Sequence, residues 1–209
     1  MKTTIKTLNQ PELSAGNILA EITFSKIFGE KKDYFIDYKY EKIKHYYGRH
    51  CLDIGAGNGD FSRFLKSNNH HVTSLDVVNK AKESYANHIT LFNGKDIPFD
   101  KKSFDTSILM FVLHHTNWQK QLIQDCIRVT KKYIIIAEDI IHNTFDSWMG
   151  AIHLNSSPWA KGNDSFKSHR GWLDFFSENN LEILECVEIP RWTYPVYPVA
   201  RYVYVLKVI

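Results

Sequence analysis

The chain is expected to fold as an α/β protein, a mostly parallel, doubly wound sheet with helices on both faces. Three observations predict this. Apolar runs suited to strands, at Cys51–Ile54, His71–Asp76, Thr106–Leu113 and Tyr133–Ile136, alternate with segments of helical spacing, and such alternation implies right-handed crossovers between parallel strands. The first run leads directly into a glycine-rich turn, Gly55-Ala56-Gly57-Asn58-Gly59. The length of 209 residues, with 44% hydrophobic and 23% charged side chains, suits one domain with a full core and excludes a disordered chain.

Residues 14–47 read as two helices. Ile18, Leu19, Ile22 and Ile27 give the first an apolar face that Gly29 ends. In the second, Ile36, Tyr40, Ile43 and Tyr47 recur at helical spacing before Gly48, and most of that stripe is core. Beyond the first strand a helix is expected from Asp60 through Lys66. The second strand ends in Asp76, and Phe104-Asp105 opens the fourth. Trp118, Leu122, Cys126 and Val129 form the packing face of the helix that runs through Arg128-Val129-Thr130-Lys131-Lys132 into the fifth strand. A helix over Ser168–Asn179 then leads to strands near Leu181–Ile189 and Arg201–Val208. The connection Ile140–Lys167 carries Trp148, His153 and Trp159 and is too long for a bare link. It and Ser14–Tyr47 are expected to form a lid.

The glycine turn carries the first functional signal. Without a Cβ, main-chain N–H groups can approach a ligand closely, and the following helix points its positive end at the same place. The spacing is G-x-G-x-G with Asp60 where a dinucleotide fingerprint has its last glycine. Asp53, two residues before the first glycine, suits a cofactor bearing an amino acid better than a pyrophosphate. Asp76 lies 17 residues beyond Gly59, where a strand-end carboxylate can accept from both hydroxyls of a ribose.

The pattern Asp53-x-Gly55-x-Gly57-x-Gly59 resembles motif I of the class I methyltransferases that use S-adenosylmethionine. Asn93-Gly94-Lys95-Asp96-Ile97-Pro98-Phe99, followed by Ser103-Phe104-Asp105, is similar to the segment in which that family reads adenine and opens its fourth strand. The resemblance covers Cys51–Asp139. It implies a Rossmann-like, seven-stranded sheet and S-adenosylmethionine as cofactor, bound by Asp53, Gly55, Gly57, Asp76, Asn93, Gly94 and the main-chain carbonyl of Phe111. Asparagine stands at 93 where the family often has aspartate, Asp96 is expected to serve the turn, and the family's Pro-Gly-Gly turn before the fifth strand is missing. The implied organisation is one domain with an N-terminal helical cap at 1–48, a cofactor half at 49–139, and an acceptor-side insertion with the last strands at 140–209.

Transfer from a sulfonium is an in-line displacement that needs alignment and exclusion of water, and it requires no metal. His114 and His115, directly after the fourth strand, are the expected proton acceptors or, equally, walls of the methionine pocket, with His153 and His169 as further candidates for the proton role. An aromatic content of 14%, much of it outside the cofactor half, favours a small, partly apolar acceptor. The first alternative is an RNA or protein methyltransferase; its basic evidence, Lys31-Lys32, Lys39, Lys42, Lys44 and Arg49, is interleaved with acids as on a solvated helix face. The second is a non-catalytic cofactor-binding scaffold with Tyr194-Pro195-Val196-Tyr197-Pro198 as its contact surface.

A net charge of +3 does not by itself imply nucleic acid. No run approaches the ~18 apolar residues of a membrane span, and no signal core follows Met1-Lys2-Thr3-Thr4-Ile5-Lys6, so a cytoplasmic protein is expected. Cys51, Cys126 and Cys186 are widely spaced in apolar patterns, as expected of buried free thiols.

Overall fold

The computed structural model describes residues 40–81, 86, 88–156, 165–189, 191 and 198–209. The first expected helix, the Ile36 end of the second, Trp159 and residues 194–197 of the Tyr194–Pro198 segment lie outside the described residues.

Seven strands form one sheet in the order β3-β2-β1-β4-β5-β7-β6: β1 (His50–Ile54), β2 (His71–Asp76), β3 (Ile89–Leu91), β4 (Phe104–Met110), β5 (Thr130–Ile140), β6 (Leu181–Ile189) and β7 (Ala200–Val208). β1 pairs in parallel with β2 and β4, β2 with β3, and β4 with β5, whereas β7 is antiparallel to both β5 and β6. This is the mostly parallel seven-stranded Rossmann-like sheet expected. The chain order reverses between β1 and β4, and a parallel sheet opens a crevice at the carboxyl ends of the two strands flanking such a reversal.

Alternation along the strands divides the core into two layers. Leu52, Ile54, Leu109, Ile134 and Ile136 face α2 (Gln119–Val129) and α4 (His169–Glu178), whose Leu122, Cys126, Trp172 and Phe176 are buried there. Cys51, Ile108, Ile135 and Ala137 face the other way, against Leu65 of α1 (Asp60–Ser67) and against Tyr40, Ile43 and Tyr47. The described part of the early helical stripe is therefore core. Helices cover both faces, and among the described residues no helix is long and apolar enough to cross a membrane.

Junctions are tight where the sequence lacks the usual loop. α2 passes into β5 without an intervening residue, and the Thr130 hydroxyl donates to the Cys126 carbonyl at 2.6 Å while lying 2.6 Å from the Ser107 hydroxyl. Gly48 precedes β1 for a steric reason: a Cβ there would lie 2.2 Å from the Cβ of Asp105, on the neighbouring β4.

Two expectations are corrected, and a third segment gains detail. Cys186 is exposed, whereas Cys51 and Cys126 are buried; it sits on the edge strand, past a register shift between Ile183 and Glu185 that changes which residues face the core. Trp118 is 50% exposed, because it precedes α2 at the cap position, and the Lys95 ammonium lies 3.5 Å above its ring. The connection after β5 holds a helix, α3 (Thr144–Ser156), whose first turn is closed by Asn143 Oδ1 accepting from the Asp146 N–H at 2.9 Å. The buried Asp146 carboxylate in turn pairs with Arg191 and accepts from the His142 N–H at 3.0 Å, fixing how α3 leaves the sheet.

Candidate active site

At the carboxyl end of β1, Gly55, Gly57 and Gly59 all have positive φ, at 72°, 58° and 77°. Two of them differ in what forbids a side chain. A Cβ on Gly55 would lie 2.5 Å from Val112 Cγ2, so its lack of a side chain lets the segment after β4 close over the turn. Around Gly57 a Cβ would meet no atom of the described residues within 4 Å, so among them this backbone faces open space. Gly59 caps α1 and directs the positive end of that helix at the turn.

The turn is held by β2. Gly55 and Ala56 donate to the Leu75 carbonyl at 2.8 and 3.1 Å, and Gly57 N–H donates to Asp76 Oδ2 at 2.7 Å. The other oxygen of Asp76 accepts from Val78 N–H at 3.2 Å. Asp76 is thus at the crevice edge with its carboxylate already oriented by backbone donors. Asp53 points the opposite way: it is 2% exposed and accepts from the Ser62 hydroxyl at 2.5 Å, and Ser62 lies 2.7 Å from Ser74. Its carboxylate joins β1, α1 and β2 beneath the turn.

Asn93 organises the next loop. Its Oδ1 accepts from Lys95 N–H at 2.9 Å and Asp96 N–H at 2.8 Å, and its Nδ2 donates to Asp96 Oδ2 at 2.7 Å. Both lone pairs of that oxygen are occupied within the loop, and the neighbouring Gly94 has φ 80°. Asp96 acts within the turn. Val77, 41% exposed, stands 3.1 Å from where a Gly94 Cβ would be and supplies an apolar wall.

Phe111, at the end of β4, is a non-glycine residue at φ 61°. That conformation costs free energy in an L-residue and persists where surroundings enforce it; here Phe111 N–H is held by the Ala137 carbonyl at 2.8 Å. The next residues are fixed by Glu138, which is fully buried. Its Oε1 accepts from Val112 and Leu113 N–H at 3.2 and 2.7 Å, and its Oε2 accepts from His114 Nδ1 at 2.5 Å. Gln119 completes the clasp by donating to the carbonyls of Leu113 and Ser165 at 2.9 and 2.7 Å.

His114 and His115 form a short 3-10 turn with Leu113, and α3 brings His153 to them. The His115 and His153 rings are centred 5.0 Å apart, and His114 stacks on Phe166 at 4.7 Å. Gly150, one turn before His153, permits this: a Cβ there would already lie 3.2 Å from Phe166. Electrostatics divide the three. Burial pulls the His114 pKa down, but the charge and hydrogen bond of Glu138 outweigh it and leave the net shift upward. Burial, reinforced by His114 and His153, pushes His115 down to about 2, and burial followed by His114 lowers His153. His115 is therefore neutral at ordinary pH. His169 is elsewhere, 3.0 Å from the Tyr204 hydroxyl and stacked on Tyr202.

Sequence reading missed Glu138 and Ser62. Glu138 has a signal, an acid at the end of an otherwise apolar buried strand; Ser62 has none that distinguishes it from any helix serine.

Residues 52–136 match the family model described as a methyltransferase domain. With the sheet order and the glycine turn, this match makes the cofactor half of the chain similar to the methyltransferases that use S-adenosylmethionine. Over 92 residues it is 30% identical to a demethylmenaquinone methyltransferase of Tropheryma whipplei, covering 40% of this chain and 38% of the relative. The matched segment thus spans about two fifths of that relative's length. The fold is similar to the Burkholderia thailandensis 1,6-didemethyltoxoflavin-N1-methyltransferase, with TM-score 0.63 and 11% identity over 96% of this chain and 93% of that one. It is also similar to the cyclase SpnF, with TM-score 0.65 and 15% identity over 84% of this chain and 80% of the other. Likenesses at this level of identity concern the fold.

Proposed function

We propose that the protein transfers the methyl group of S-adenosylmethionine to a small, partly apolar acceptor by in-line displacement. The observation that carries this is convergence: the open backbone at Gly57, the oriented Asp76 carboxylate, the strained Phe111 and the imidazoles of His114 and His115 all lie at the carboxyl ends of β1, β2 and β4. In this reading Gly55 and Gly57 admit the cofactor to the backbone, Asp76 takes its ribose hydroxyls, and Asn93 shapes the loop whose Gly94 meets adenine. The Phe111 carbonyl accepts from the methionine amino group, and Asp53 acts indirectly by anchoring α1. The histidines act at the acceptor side, His115 through the lone pair of its neutral imidazole, with His114 held beside it in one orientation by Glu138.

An apolar acceptor is supported by the exposed Val77, Trp118, Phe145, Trp148 and Ile152 of these segments. Two of the similar proteins are named for small acceptors, demethylmenaquinone and 1,6-didemethyltoxoflavin. The test is incubation with methyl-labelled S-adenosylmethionine and fractionated small-molecule extracts, followed by identification of the labelled product. His115→Ala is expected to cut turnover by about 10²–10⁴-fold with cofactor affinity kept. Absence of both cofactor binding and label transfer refutes the reading. Label appearing only in RNA or protein fractions refutes the small acceptor.

A further inference from the structure

The three imidazoles beside the crevice have a geometry that proton transfer alone does not require. One ring nitrogen each from His114, His115 and His153 lies within 4.8 Å of the other two. His115 Nε2 and His153 Nε2 are 3.3 Å apart. Two nitrogens bound to one ion at about 2.0–2.1 Å with a tetrahedral angle between them are separated by roughly 3.3–3.4 Å. His114 supplies the second observation. Its Nδ1–H is held by Glu138 Oε2 at 2.5 Å, while its Nε2 is buried with no hydrogen-bond partner among the described residues, and the residue is 1% exposed. A buried polar atom without a partner is costly. An imidazole with one nitrogen on a carboxylate and the other unmatched is the arrangement of a metal ligand with its outer partner.

We propose that His114, His115 and His153 bind one divalent transition-metal ion of the zinc class through their Nε2 atoms, with Glu138 as the outer partner of His114. Three imidazoles suit zinc and leave its fourth tetrahedral position open. The inference rests on the methyltransferase reading in one respect: the open position takes the hydroxyl oxygen of a small phenol or enol acceptor, and the histidines then act on that acceptor through the ion instead of by their own lone pairs. Bound there, the hydroxyl loses its proton to water more readily. Its oxygen then forms the bond to the methyl carbon as the sulfur–carbon bond breaks, giving the methyl ether and the neutral thioether of S-adenosylhomocysteine. The sulfonium still needs no metal; the ion acts on the acceptor.

The test uses the full chain after chelator treatment. Zinc sulfate is titrated by calorimetry and cobalt(II) chloride is followed by visible absorption, with circular dichroism checking the fold of each variant. One ion per chain and the bands of four-coordinate cobalt are expected. His115→Ala and His153→Ala should each weaken binding by more than the roughly 10–100-fold expected of Glu138→Gln, which removes only an outer partner. His50→Ala, at the opposite end of β1, should match the parent. His153→Gln, closer in volume, repeats the comparison if the alanine variant does not fold. No stoichiometric binding by the parent, or unaltered affinity in both folded histidine variants, overturns the proposal and leaves the 3.3 Å contact as an imidazole–imidazole hydrogen bond. A parallel titration with S-adenosylmethionine separates the two readings: cofactor bound without zinc removes the metal site alone, and zinc bound without cofactor removes the methyltransferase reading alone.

Discussion

Replacing Asp76 by asparagine separates its work in the fold from its work on the cofactor. In the structure the carboxylate is 7% exposed and accepts from Gly57 N–H at 2.7 Å and Val78 N–H at 3.2 Å. Asparagine keeps one carbonyl-type oxygen for Gly57 and loses only the longer bond from Val78, so the glycine turn should survive with at most about 1 kcal/mol of lost stability. It cannot offer an ionised pair of oxygens to two ribose hydroxyls. A hydrogen bond to a charged group contributes about 1.5–3 kcal/mol, so loss of one such interaction should weaken S-adenosylmethionine binding about 10- to 150-fold. Asp76→Ala removes the acceptor for Gly57 as well, and should add about 1 kcal/mol of lost stability to a similar loss of affinity. Calorimetric titration with S-adenosylhomocysteine measures the affinity, and urea unfolding measures the stability. Parental affinity in a folded Asp76→Asn protein removes Asp76 from the site. Loss of affinity only in step with lost stability assigns it to the turn alone.

Gly57→Val should abolish cofactor binding in a protein that still folds, because its Cβ meets no atom of the described residues within 4 Å, the side chain enters the open space, and it strains a backbone at φ 58°; normal binding by a folded variant displaces the ligand from this turn. Glu138→Gln keeps an acceptor for Val112 and Leu113 but replaces a charged partner of His114, and should cost about 1–3 kcal/mol in urea unfolding; an unchanged midpoint contradicts the clasp. Asp105 has its pKa lowered chiefly by the His50 N–H at 3.0 Å and further by Lys131. A depressed carboxylate contributes stability that is present above its unfolded value of about 3.9 and is lost as pH falls through the folded one. Asp105→Asn should therefore flatten the fall of the melting temperature below about pH 4, and an unchanged slope contradicts this.

What the chain determines locally was legible from the sequence, because each such feature lies within one turn or one strand. The glycine turn and its helix, Asp76 at a strand end, and Phe104 opening β4 each follow from spacing that short-range sterics and pairing enforce. β3 escaped because three residues carry too little pattern. Trp118 and Cys186 were misplaced because periodicity gives a face but not whether another element covers it, and a cap position or a register shift undoes the inference. Only the tertiary structure decided that Asp53 turns inward to Ser62, that Val112 is what Gly55 must accommodate, and that Glu138 orients His114. His115 and His153 are 38 residues apart in the chain and touch only because Gly150 lets α3 lie against Phe166. Contacts between distant segments depend on how closely two backbones approach, and that distance is set by packing of the whole sheet rather than by any stretch of sequence alone.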